Sequence, residues 1–444
     1  MPGIFEIING LWTSDPEIVS WYVSQGRVLL DYLHLIFDSM FYFFLYMAIV
    51  FTSIYLVLSI FTVFFKHDKK ERKFDASKAP FVTIQIPTRN ELVALRCAKR
   101  CVDFDYPKDK YEVLIGDDSD DKSISNKLKA FAEKNKIVRV IKRAKNIGFK
   151  PGNLNKMLEH SKGEILVIFD SDFTPEKDFL KRIINPFIYD KDVAAVQARW
   201  KFSNFSQNMV TMLASTIVYI FHHIVLIFLS YFGTGSLCGS AEAIRKKDLI
   251  RLGRWKSGSL TEDIEYSLRM HKNNKKILYL PKLECYNEAP HIATDLYKQQ
   301  MRWAYGVITS YKSNIKGILF DSVIPAKRKI LSLFAGFGYV MPVLIIFMFA
   351  TGTLSFLTHS PGPIDIPRFF SELGINVVLT SGILIASLVA LYREKKIRYV
   401  FKTLLASFSV GIVTTYYVNK GIFRSMMKKP MQWYMLNKDS SDVE

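Results

Sequence analysis

Apolar residues fall into two kinds of run along this chain. Three runs are long and free of charge: Met40–Phe65 (26 residues), Ile330–Leu357 (28) and Leu373–Tyr392 (20). A bilayer core of about 30 Å takes about 20 helical residues, so each run can span it. The other runs are short and β-rich: Val82–Ile86, Tyr111–Ile115, Val138–Ile141, Ile165–Phe169 and Val193–Gln197. Helical stretches lie between them, such as Glu91–Cys101, Ser123–Asn135 and Gly152–His160. That alternation predicts βαβ units and a mostly parallel sheet with helices on its faces. The fold class is therefore α/β, a sheet domain inserted between transmembrane helices. Such sheets bind ligands at the carboxyl ends of their strands.

Composition sharpens this. The 444 residues leave room for two or three domains. Hydrophobic residues make up 49% and charged ones 23%, and the mean hydropathy is +0.11. With the apolar residues clumped, a soluble enzyme, a disordered chain and a disulfide scaffold are excluded. Cys97, Cys101, Cys238 and Cys285 are too scattered for a zinc ribbon or a disulfide framework.

The net charge of +19 would suit nucleic acid, but its placement follows the membrane. Lys66, Lys69, Lys70, Arg72 and Lys73 follow the first run, Lys327–Lys329 precede the second, and Arg393, Lys395, Lys396 and Arg398 follow the third. Positive-inside bias then predicts a multi-pass cell-membrane protein. Residues 1–39 form an extracytoplasmic or interfacial segment, 40–65, 330–357 and 373–392 are spans, and 66–329 is a cytoplasmic domain. Residues 393–444 stay inside. No cleavable signal is expected, since Met1–Ser39 lacks a basic start and a small-residue cleavage site. The expected partners are membrane lipids and an anionic substrate, with no nucleic acid.

Polar residues gather where the sheet predicts them. Pro87–Glu91 follows the first strand, Asp117–Asp121 the second, and Asp170-Ser171-Asp172 the fourth. Two carboxylates at a strand end can hold Mg²⁺ or Mn²⁺ together with substrate phosphates. Lys150-Pro151-Gly152-Asn153 at a helix start is friendly to phosphate. Further on come Thr261-Glu262-Asp263 ahead of a helical run, and Gln299-Gln300-Met301-Arg302-Trp303. Taken singly, these two read as an N-capped helix and an amphipathic helix with a buried Trp.

Taken in order, the five motifs resemble the membrane-embedded family-2 glycosyltransferases that make cellulose, chitin, hyaluronan and plant mannans or glucomannans. The segments Phe232–Arg245, Val196-Gln197-Ala198-Arg199-Trp200 and Asn287-Glu288 are also similar, the last two most to the mannan synthases. The resemblance implies a GT-A fold for the cytoplasmic domain, with interfacial amphipathic helices. It implies that Thr88, Glu91, Asp118, Lys150 and Asp170 hold the nucleotide and that Asp170 and Asp172 bind the metal. Asp263 would be the general base. Gln299, Arg302, Trp303, Glu262 and Cys238 would line the acceptor and product site. The implied reaction is inverting transfer from a UDP- or GDP-sugar to the non-reducing end of a β-linked polysaccharide. A gating segment would run from Trp433 to Lys438, with Leu436 where the family has Thr.

Met209–Phe232 has 24 residues without formal charge. As a span it would put Asp172 and Asp263 on opposite sides of the membrane, so it reads as an interfacial helix, with His222 and His223 as partnerless interfacial residues. Thr403–Val418, closely flanked by Lys402 and Lys420, reads the same way. Two other readings stay open: a single-transfer, ceramide-type glycolipid glucosyltransferase, and a nucleotide-sensing membrane transporter or receptor. The donor sugar stays open among UDP-glucose, UDP-N-acetylglucosamine and GDP-mannose, as does the need for a homo-oligomer or an accessory export subunit.

Overall fold

A computed structural model describes residues 16–64, 72–359, 365–431 and 434. In chain order, α1 (Pro16–Phe64) leads to β1 (Val82–Thr88), α2 (Ala94–Val102), β2 (Tyr111–Asp117), α3 (Lys122–Lys134) and β3 (Val138–Lys142). Then come α4 (Phe149–His160), β4 (Ile165–Ile168), α5 (Phe179–Tyr189), β5 (Val193–Phe202), α6 (Met209–Ile220) and α7 (Leu226–Tyr231). Next are β6 (Glu242–Arg245), α8 (Lys246–Arg251), α9 (Glu262–Lys272), β7 (Lys276–Asn287) and α10 (Ala293–Leu319). The last helices are α11 (Ala326–Phe337), α12 (Val340–Thr358), α13 (Ile366–Leu379), α14 (Gly382–Arg393), α15 (Val400–Phe408) and α16 (Val410–Met426).

The chain divides into two compact units. Among the described residues, one takes those up to Ile54 together with those between Val340 and Gly382, and the other takes those between Tyr55 and Tyr339 with those from Ile383 onward. The first is helical. Phe44 of α1 stacks on Phe347 of α12 at 5.0 Å, and His34 meets the Ser355 carbonyl at 2.9 Å. Helix α1 runs 49 residues and starts well before the expected span, because Arg27 and Asp31 interrupt the apolar run without breaking the helix. They pair at i,i+4, 3.7 Å apart.

The second unit is built on a seven-stranded sheet ordered β3-β2-β1-β4-β6-β5-β7. All neighbours are parallel except β6, which is antiparallel to β4 and β5. The five expected strands are present, and β6 and β7 add to them. Side chains alternate across the sheet, as a period of two requires. Val82, Ile84, Ile86, Val113, Ile115, Ile165 and Val167 face α2, α3 and α5, while Leu114, Leu166, Ile168 and Ile244 face α4, α8 and α9. Each such side chain, fully buried, contributes about 1.5–3 kcal/mol. The sheet is thus a rigid platform, and its polar strand ends are the places left for chemistry.

Among the described residues, three helices are long and apolar enough to cross a membrane: Ser20–Phe64, Met209–Tyr231 and Val340–Thr358. Up to five candidates result if each of two bent helix pairs counts as one span. The apolar run 330–357 is split after Phe337, and 373–392 is split at Thr380-Ser381. Met209–Tyr231 is mostly covered by protein. An Asn208 capping box opens it, and a π turn at Phe221–Val225 interrupts it. Here the expectation of partnerless histidines is corrected. His223 Nε2 lies 2.7 Å from Glu394 Oε1, and His222 Nδ1 lies 3.3 Å from the Tyr279 hydroxyl. Buried polar rings need such partners.

Helix α16 lies along α10, the helix that carries Gln299–Trp303. A Cβ on Gly421 would come within 2.3 Å of the Met301 carbonyl oxygen, so only glycine allows this approach. Tyr297 stacks on Tyr417 at 5.1 Å, and Lys312 Nζ donates to the Ser425 carbonyl at 2.9 Å.

Candidate active site

The loops after β1 and β2 are tied to each other. Asn90, with φ +52°, accepts from the Asp120 and Asp121 amides at 2.9 and 3.1 Å, and its own amide donates to Ser119 Oγ at 2.8 Å. Thr88 Oγ1 donates to the Glu91 carbonyl at 3.3 Å. The Glu91 carboxylate accepts from the Ser171 hydroxyl, inside the Asp170–Asp172 turn. Asp118 is buried and held by both arms of Arg143, with Nε 2.6 Å from Oδ1. Planar, bidentate pairing fixes a carboxylate firmly. Thr88, Glu91 and Asp118 therefore stand on one braced rim beside the acidic turn after β4.

Lys150, on the first turn of α4, reaches across to the centre of the site. Its ammonium lies 2.7 Å from Asp170 Oδ1 and 3.0 Å from Glu262 Oε1, and donates to the Gly239 carbonyl at 2.6 Å. Burial alone would lower its pKa, but Asp170 and then Glu262 raise it well above the ordinary range. Lys150 thus stays charged. Asp263, in the first turn of α9, has its pKa raised to about 7, by burial first and then by the neighbouring Glu262. A Cβ on Gly239 would lie 3.4 Å from both Asp263 Oδ2 and Lys150 Nζ, which shows how closely the three approach. A carboxylate poised near neutrality can act as a general base towards a hydroxyl.

Sequence reasoning missed Glu242 and Arg143. Glu242 is buried in β6, accepts from the Gly239 amide at 2.9 Å, and is raised to about 8 by burial and by Asp263. Its signal was present: a lone acid in the otherwise apolar stretch Ala241-Glu242-Ala243-Ile244.

On the other side, Arg302 Nη1 donates to the Leu260 carbonyl at 3.1 Å, just before Thr261-Glu262-Asp263. Burial lowers its pKa, while Glu262, Asp170 and Asp263 counter the shift, so it shares their electrostatic environment. Trp303 and Cys238 are part-buried, and both pack against the large core cluster of the sheet unit. Gln299 is one residue before the buried Gln300, on the same α10 turn. The gate residues Trp433 and Lys438 lie outside the described residues. Tyr434 is described, and it packs in a cluster with Leu260, Met301 and Met431.

Asp170 and Asp172 suit a hard cation. Both offer carboxylate oxygens at one strand end, and Asp170 already holds a cationic group, the Lys150 ammonium. Among the described residues, no group of three or more His, Cys, Asp or Glu is placed to hold a metal by itself. The pair therefore fits an ion that also takes oxygens from a diphosphate.

The acids and the lysine thus gather beyond the carboxyl ends of β1, β2 and β4, the ligand-binding edge of a mostly parallel α/β sheet of GT-A type. The sequence profile described as "Glycosyltransferase like family 2" matches residues 79–306, just over half the chain. The chain belongs to that family. Over 267 residues it is 30% identical to a probable glucomannan 4-beta-mannosyltransferase 7 of Oryza sativa subsp. japonica, covering 58% of this chain and 46% of the relative. The match thus spans less than half the relative's length. Among solved structures, the mannosyltransferase PcManGT from Pyrobaculum calidifontis, in complex with GDP-Man and Mn²⁺, aligns with a TM-score of 0.63 at 16% identity. That alignment covers 89% of this chain and all of PcManGT.

Proposed function

We propose that this chain is a membrane-bound, inverting glycosyltransferase that extends a β-linked polysaccharide, with GDP-mannose the first donor to test. One observation carries the reading. Lys150 joins Asp170, Glu262 and the Gly239 loop beside Asp263, so a leaving-group side and a base side meet in one site. The mannosyl names of the rice relative and of the archaeal neighbour support the donor choice.

In this reading Thr88, Glu91 and Asp118 hold the nucleoside. Asp170 and Asp172 would hold a divalent cation, which when bound neutralises the diphosphate as it leaves. Lys150 and Arg302 face the same charge. Asp263 takes the proton of the acceptor hydroxyl as that oxygen attacks the anomeric carbon from the opposite face. Trp303, Cys238, Gln299 and Glu262 line the acceptor, since an aromatic face suits the apolar face of a sugar ring. Trp433–Lys438 would close over the nucleotide, and the packing of Met431 and Tyr434 on Leu260 and Met301 supports a C-terminal segment near the site.

The test is a donor screen on membranes. GDP-mannose with Mn²⁺ should release GDP and yield polymer, and chelation should stop it. A glycolipid of one added sugar would favour the single-transfer alternative, and turnover with a UDP-sugar alone would overturn the mannosyl assignment.

The topology we infer has three spans, N-terminus outside and C-terminus inside. Coverage of Met209–Tyr231 by the sheet unit supports keeping that helix out of the lipid core, and the close packing of α16 on α10 does the same for the C-terminal helices. Single cysteines at positions 14, 360 and 440, probed with an impermeant thiol reagent on intact cells, should label at the first two only. Labelling at position 440 would mean another crossing and would remove the proposed gate from the cytoplasm.

A further inference from the structure

The segment Val196–Trp200 has no role in the chemistry described so far, yet it touches the site through one loop. Gln197, on β5, has no exposed surface. Its Oε1 accepts from the Cys238 amide at 2.7 Å. Its Nε2 donates to the Ser240 carbonyl at 2.9 Å and approaches the Ala241 carbonyl at 3.3 Å. It also reaches its neighbour Ala198's carbonyl at 2.9 Å, and Trp200 Nε1 donates to the same Ser240 oxygen at 3.0 Å.

The loop so held is not one the backbone would choose by itself. Gly239 has φ +87° and Ala241 φ +51°, and a non-glycine residue in the left-handed region persists only where its surroundings impose it. From this loop, contacts run into both halves of the site. Ser240 Oγ accepts the backbone N–H of Asp170 at 2.8 Å, and the Gly239 carbonyl accepts from Lys150 at 2.6 Å. Gly239 itself lies against Asp263. One side-chain amide therefore braces a short loop whose successive residues steady the diphosphate side and the base side.

We propose that Gln197 is a positioning residue for transfer: by clamping the Cys238–Ala241 loop it sets Asp170 and Lys150 in register with Asp263. This rests on the transferase reading above. The alternative is a buried amide that matters for folding alone.

The test uses the full-length protein in detergent, with Gln197→Met (similar length, no amide), Ser240→Ala and Ser240→Thr. Three readouts are taken: thermal unfolding, kcat and KM for donor and acceptor, and Mn²⁺ affinity by electron paramagnetic resonance with GDP or UDP present. Changes in residues that orient metal-site groups typically cost about 10–100-fold in affinity or activity. Gln197→Met should lose kcat and Mn²⁺ affinity within that range. Ser240→Ala should lose Mn²⁺ affinity likewise, and Ser240→Thr, which keeps the hydroxyl on the Asp170 amide, should restore it. If Gln197→Met does not fold, the Ser240 pair decides: equal Mn²⁺ affinity in Ala and Thr variants overturns the proposal. So does a folded Gln197→Met with unchanged kcat and Mn²⁺ affinity. If the wild type transfers no sugar, the transferase reading fails, and the Mn²⁺–diphosphate titration still judges the clamp by the same criteria.

Discussion

Asp263→Asn should cut sugar transfer by about 10²–10⁴-fold, the usual loss when a general base is removed. Donor binding should survive, because Asp118, Lys150 and Asp170 stand on other elements. The variant should also be more stable above neutral pH, which separates it from ordinary damage. The sign follows from proton uptake. Burial and Glu262 raise Asp263 from the usual 3.8 to about 7, so between these values the folded state binds more protons than the unfolded state. Stability contributed by the protonated form is then full below pH 3.8 and is lost as pH rises through 7. Asparagine carries no such charge. Thermal unfolding should therefore rank the variant above wild type at pH 8, by a few kcal/mol at most, with the gap closing towards pH 4. In wild type, kcat/KM should fall about tenfold per unit below pH 7, and the variant's residual activity should lack that limb. Donor binding and turnover lost in equal proportion would assign Asp263 to the donor pocket.

How much of this was legible beforehand depended on the range of the interactions. The first five strands are visible because a parallel sheet buried on both faces needs continuous apolar runs. The motifs follow from the same logic, since the sheet exposes polar residues only at its strand ends. β6 hides because it has four residues and one is Glu242. β7 hides because Pro281, Lys282 and Glu284 break its apolar run. The partner of His223 is Glu394, 171 positions away, and the Asp118 clamp comes from Arg143 in a separate loop. No local pattern reports a pairing of that kind. The β5 segment Val196–Trp200 stood out by resemblance, but its contact with the Cys238–Ala241 loop is a property of strands meeting in space. Local rules thus foretell which residues are offered, and the tertiary fold decides which of them meet.

The acidic pair carries the second large effect. Asp170 is bound to Lys150 at 2.7 Å, while Asp172 is buried in the same turn, whose Ser171 is held by Glu91. In the proposed reading, a cation held by this pair would meet in Asp170 a carboxylate already shared with an ammonium. Asp172→Asn removes a charge and an anionic oxygen without emptying the space, so the braced turn should keep its shape. Turnover should fall by more than about 100-fold, beyond what outer-shell changes cost. Mn²⁺ affinity in the presence of GDP should fall with it, while the protein still reaches the membrane and unfolds at a similar temperature. Lys150→Met tests the same balance from the other side. Freed of its ammonium, Asp170 should bind Mn²⁺ more readily without nucleotide, yet diphosphate binding should weaken, because one positive charge facing the phosphates is gone. If Asp172→Asn keeps normal turnover with EDTA present, the pair is not a metal site, and Lys150 and Arg302 must neutralise the leaving group by themselves.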